Sequence, residues 1–97
     1  MIDLEVMEGE PACFISMIDG FPKPNIEWLK DDSPISSLKE GRMLMSQSGN
    51  SLCFSIDQTS HHDHGLYKVL LKNIVGETSS SAFLSIHGKN DLLICKF

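Results

Sequence analysis

The chain has no long hydrophobic run, no basic stripe and no matched set of cysteines, and each absence removes a class of function. Its apolar stretches fall far short of the ~20 residues a membrane helix needs, although 41% of its 97 residues are hydrophobic. Eight Lys and Arg are scattered singly among thirteen Asp and Glu, giving a net charge of −5. That distribution offers no electrostatic footprint for nucleic acid or for an anionic membrane. Cys13, Cys53 and Cys95 are an odd number at no metal-ligand spacing, so they make neither a disulfide framework nor a zinc motif. None stands beside a cationic cluster, and they read as ordinary thiols rather than redox sensors. The first residues, Met1 to Val6, lack the basic and apolar regions of a signal peptide. None of Asn25, Asn50, Asn73 and Asn90 opens an N-x-Ser/Thr glycan acceptor. These features together point to the cytosol.

Catalytic signatures are missing as well. There is no G-x-S-x-G elbow, no phosphate-binding G-x-x-x-x-G-K and no G-x-G-x-x-G. A single small domain of this length leaves little room for a deep pocket once its core is filled. The chain is therefore expected not to be an enzyme and to need no cofactor. The run His61-His62-Asp63-His64 carries metal-ligating residue types. The sequence places no fourth ligand beside it, so it is expected to be a solvated turn without metal.

What is present is a series of short alternating segments divided by turn residues, with no sustained helical period. That pattern predicts an all-β sandwich. Strands are expected at 12–18, 26–30, 42–47, 51–56, 65–72 and 78–86. Gly20-Phe21-Pro22-Lys23-Pro24 interrupts the first pair, because proline cannot donate to a central ladder. Asp31-Asp32-Ser33-Pro34 is a turn cluster, and Ser48-Gly49-Asn50 and Asn73 to Gly76 turn two hairpins. In the first strand Ala12, Phe14, Ser16 and Ile18 share one face, and Cys13, Ile15 and Met17 the other. Both faces are apolar, so alternation alone does not choose the inward one.

The order and spacing of these residues resemble the I-set immunoglobulin domains of muscle and cytoskeletal proteins. Such domains occur in titin, the myosin light-chain kinases, palladin-like scaffolds and obscurin, with the titin type the nearest in pattern. The matching residues are Glu8-Gly9-Glu10-Pro11-Ala12, Gly20-x-Pro22-x-Pro24-x-Ile26-x-Trp28, Phe54-x-Ile56, Asp63-x-Gly65-x-Tyr67 and Asn73-x-x-Gly76-Glu77. The resemblance spans about nine-tenths of the chain, from Leu4 to Ile86, and implies a Greek-key immunoglobulin-like sandwich. In that fold Trp28 is the buried plate between the sheets, and Tyr67 pins a corner through its hydroxyl. Gly65 permits the bend before Tyr67, and Asp63 pairs with a basic residue, here expected to be Arg42. Gly20, Pro22 and Pro24 turn the chain between the second and third strands.

The family's inter-sheet disulfide positions fall on Ser16 and Val69, so that bridge is absent. Cys13 and Cys53 are out of phase, on outward faces, and do not replace it. Stability then rests on Trp28, Phe14, Phe54, Ile56, Phe83 and their neighbours, as suits a reducing compartment. The family's first strand is expected to be truncated, with Met1 opening at its second part. Residues 1–87 are expected to form the domain and 88–97 a flexible tail that could cover the bare edge. The edge Glu77 to Phe83 is a candidate docking strand. The implied function is that of a non-catalytic spacer, elastic element or docking module of a sarcomeric or actin-associated scaffold, monomeric as an isolated unit. Its partners would be neighbouring immunoglobulin or fibronectin-type domains and cytoskeletal proteins. The alternative is a regulatory module attached to a muscle-type protein kinase, and an extracellular adhesion domain ranks behind both.

Overall fold

A computed structural model describes residues 1–18, 24–35 and 42–88. Alternating apolar and polar side chains build eight strands: β1 (Leu4–Met7), β2 (Ala12–Met17), β3 (Asn25–Lys30), β4 (Ser33–Pro34), β5 (Met43–Ser48), β6 (Ser51–Ile56), β7 (Gly65–Lys72) and β8 (Glu77–His87). Among the described residues one 3-10 turn, His61–Asp63, lies between β6 and β7. The strands form two sheets, in the orders β1-β8-β7-β3-β4 and β2-β6-β5. β1 runs parallel to β8, and the other pairings are antiparallel.

The expected strands agree with those observed to within one residue at each end. The stretch expected to be a plain turn is more structured. Asp31 and Asp32 both take positive φ, 50° and 68°, the backbone of a two-residue hairpin loop whose twist matches that of the flanking strands. That loop returns Ser33–Pro34 onto Leu29–Lys30 as β4. Gly20 and Pro22 lie outside the described residues. Pro24 is half-buried immediately before β3, where no ladder donor is required of it.

The core lies between the sheets. β2 and β6 contribute Ala12, Phe14, Leu52, Phe54 and Ile56, and the facing sheet contributes Trp28, Tyr67, Val69, Ala82 and Leu84. Ring centroids are 5.2 Å apart for Trp28 and Phe54, 5.6 Å for Phe54 and Tyr67, and 5.1 Å for Tyr67 and Phe14, distances at which tilted aromatic pairs attract. Val69 is fully buried and stands opposite Trp28 in the β3–β7 ladder. Ser16 is on the inward side of β2, half-buried.

Phe83 departs from its expected place in the core. It is 37% exposed, whereas its neighbours Ala82 and Leu84 are 2% and 0% exposed. The two-residue period of β8 fixes this, because an inward Ala82 and Leu84 require an outward Phe83. Its ring meets that of His64 edge-on, with centroids 4.9 Å apart. In urea unfolding, Leu84→Ala is expected to cost about 3 kcal/mol by leaving a cavity. Phe83→Ala is expected to cost about 1 kcal/mol or less, since it loses only a surface contact. Equal losses would contradict this assignment of faces.

Candidate functional site

The segment after β6 is organised around Asp63, which is 3% exposed. Ser60-x-x-Asp63 closes as a capping box. Asp63 Oδ2 accepts from the Ser60 backbone N–H at 2.8 Å, and Ser60 Oγ accepts from the His62 N–H at 3.3 Å. The Arg42 guanidinium reaches both carboxylate oxygens, at 3.0 and 3.4 Å, and also donates to the Gln58 carbonyl at 2.8 Å. A buried carboxylate is costly unless paired in this way. Tyr67 donates its hydroxyl to the Asp63 carbonyl at 2.7 Å. Burial, reinforced by the Asp63 and Asp31 carboxylates, pushes the phenol far above its ordinary pKa, so it stays a proton donor.

Gly65 has a positive φ of 157° at the bend before Tyr67, a backbone conformation that side-chain-bearing residues rarely adopt, and its surroundings add a second constraint. A Cβ there would stand 2.7 Å from Asp31 Oδ2, in the space of the carboxylate that accepts the Leu66 N–H at 2.9 Å. Close approach of a side chain from the β3–β4 loop thus adds to the backbone requirement for glycine. Sequence reasoning also passed over Thr59, whose buried hydroxyl donates to the Glu10 carbonyl at 2.7 Å. It passed over Ser60 too, although Ser-x-x-Asp is a readable capping signature.

The histidines do not converge. His61 lies 3.2 Å from Glu8, and this hydrogen bond lowers the Glu8 pKa. His61 and His62 pair their rings at 4.2 Å, while His64 turns to Phe83. Among the described residues no three potential ligand side chains gather as for a metal. Through the Ser60, Arg42 and Tyr67 hydrogen bonds the Asp63 corner ties three segments of the chain together. Tyr67→Phe is expected to lower unfolding stability by about 1–2 kcal/mol through the lost buried hydrogen bond. Asp63→Ala is expected to cost about 2–3 kcal/mol, because it orphans the Ser60 N–H and removes the carboxylate that the Arg42 guanidinium reaches. Chemical denaturation measures both.

The outer face of the β2-β6-β5 sheet is the candidate interaction surface. The register aligns three rows across it: Cys13, Ser55 and Leu44; Ile15, Cys53 and Ser46; Met17, Ser51 and Ser48. No charged residue occupies any of the nine positions. Ile15, Met17 and Leu44 are 59%, 67% and 61% exposed. Solvated sheet faces ordinarily carry polar or charged side chains, and a contiguous exposed apolar patch marks a place where another surface sits. Among the described residues β2 and β5 pair only with β6, so each also presents a free edge.

The edge expected to be open at Glu77 to Phe83 is partly occupied by the chain itself. The Met1 amino group donates to Ser80 Oγ at 2.7 Å, and Asp3 Oδ1 accepts from the Phe83 N–H at 2.8 Å. Of the backbone groups along this edge these contacts engage the Phe83 N–H, and Ser80 is held through its side chain.

Comparison with known proteins agrees with this architecture. The immunoglobulin I-set domain family matches residues 1–86. Smooth muscle myosin light chain kinase of Gallus gallus is 30% identical over 89% of this chain, which spans 4% of the kinase. Telokin of Meleagris gallopavo is 28% identical over 89% of this chain, which spans 55% of telokin. The titin domains Z1Z2, solved in complex with telethonin, superpose with a TM-score of 0.86 at 27% identity, covering 91% of this chain and 45% of that one. Matched by the family over residues 1–86 and superposable on titin domains, this chain belongs to the immunoglobulin I-set family.

Proposed function

We propose that this chain is a non-catalytic interaction and spacer module of a sarcomeric or actin-associated scaffold in the cytoplasm. In this reading the module is residues 1–87, monomeric in isolation, and residues 88–97 lie beyond it. It docks partners through the uncharged outer face of β2, β6 and β5. The observation that carries the reading is that nine outward positions hold no charge while three large apolar side chains stand in water. An extended, uncharged segment of a cytoskeletal protein complements such a face, and the free edges of β2 and β5 supply backbone hydrogen-bonding groups. The likeness to titin domains solved with telethonin supports a partner of the same setting. Neighbouring immunoglobulin or fibronectin-type domains would flank the module.

A second reading, a regulatory module attached to a protein kinase, is favoured by the 30% identity to smooth muscle myosin light chain kinase. A kinase domain in the flanking coding sequence would decide for it.

The first reading is tested in striated muscle cells expressing the fluorescently tagged chain. The expected result is periodic bands in register with the sarcomere. The double variant I15K/L44E adds one charge of each sign to the outer face and is expected to be diffuse, with its thermal midpoint within about 2 °C of the unaltered protein. A uniform distribution of the unaltered chain would sink the proposal.

A further inference from the structure

Cys13 and Cys53 belong to neighbouring strands, and their sulfurs are 2.7 Å apart on the outer face of the three-stranded sheet. Both are free thiols. Cys13 stands opposite Ser55 and Cys53 opposite Ile15, so the two are diagonal neighbours displaced by two residues. Diagonal side chains usually begin roughly 7–8 Å apart at the backbone, and ordinary disulfides join Cα atoms about 4.4–6.8 Å apart. Here the side chains have already closed most of that distance, because the sulfurs lie within about 0.7 Å of the ~2.05 Å bond length.

We propose that Cys13 and Cys53 form a redox modification site, a dithiol that a low-molecular-weight disulfide such as oxidised glutathione converts reversibly into a cross-strand bridge. One cysteine thiolate attacks a sulfur of the oxidant, forming a mixed disulfide and releasing one glutathione thiolate. The second cysteine thiolate then displaces the remaining glutathione and forms the protein S–S bond. Two protein S–H bonds are lost, the oxidant's S–S bond becomes two S–H bonds, and the two protons pass to the released thiolates.

The surroundings set the character of the site. Its register neighbours across the face are the uncharged Ile15, Leu44, Ser46 and Ser55, and Arg42, which lines the same cavity as Cys13, is engaged with Asp63 and the Gln58 carbonyl. Burial and the adjacent Cys53 push the Cys13 thiol up to about 11. Cys13 therefore rests as a protonated thiol, and the site responds to a sustained oxidising poise rather than to a brief pulse of oxidant. The diagonal backbone spacing works against a permanent bond and favours a reducible one. Once made, the bridge fastens β2, an edge strand paired only to β6 among the described residues, and closes a ring of 40 sequence positions. This site stands on geometry independent of the docking reading.

The test uses the full chain carrying Cys95→Ser, which removes the third thiol. Folded protein is equilibrated across mixtures of reduced and oxidised glutathione, quenched by alkylation and weighed by mass spectrometry. The expected product has lost two hydrogens, carries no glutathione, and yields a linked peptide pair containing residues 13 and 53. Its thermal midpoint rises by about 5 °C or more over the dithiol form. Adding Cys13→Ser should instead trap the mixed disulfide on Cys53. Glutathione adducts in place of the bridge would overturn the proposal. So would a bridge that forms no more readily in the folded chain than in urea.

Discussion

Four aromatic rings carry the contact between the two sheets, and they alternate in origin. Trp28 from β3 packs on Phe54 from β6, Phe54 on Tyr67 from β7, and Tyr67 on Phe14 from β2. Each contact therefore crosses from one sheet to the other. Such burial is non-directional and scales with apolar area removed from water, so it holds the sheets together without fixing their ends. The Asp63 corner adds the direction. The Tyr67 hydroxyl, the Ser60 N–H and the Arg42 guanidinium all end on Asp63, tying β7 to the chain that enters β5. With Val69 and Ser16 lacking sulfur, this combination replaces a covalent link between the sheets.

The same two-residue period that fills the core also creates the outer face. Every inward Phe14, Phe54 or Met45 commits a neighbour to water, and on β2, β6 and β5 those neighbours are apolar, hydroxyl or thiol side chains. A face of this kind neither repels a partner nor steers one over long range, because it lacks charge. It offers contact area and two free strand edges. The Cys13–Cys53 pair sits in the middle of it, so the chemistry and the surface share one location.

Much of this was legible without coordinates. The strands were readable because turn residues bound each alternating run, and Trp28, Asp63 and Tyr67 were recognisable by spacing. Arg42 as the partner of Asp63 could be anticipated as a basic residue at the start of β5. Phe83 was misplaced because β8 carries apolar residues on both faces near its end, where hydrophobicity alone does not choose a side. The same ambiguity on β2 was settled only by family register. The bend at Gly65 was legible, whereas its crowding by Asp31 was not, since Asp31 is remote in sequence and arrives through the β3–β4 hairpin.

The sequence by itself determined the fold class, the boundaries of six of the eight strands to within a residue and the absence of a bridge between Ser16 and Val69. All of these depend on local alternation, turn chemistry or a residue's identity at one position. Tertiary structure alone decided that Cys13 and Cys53 touch, that Asp31 occupies the space above Gly65, and that Met1 and Asp3 lie along β8. Those contacts join residues tens of positions apart, and which pairs meet depends on strand register and sheet order. Register is a property of two segments together, so neither segment read alone contains it.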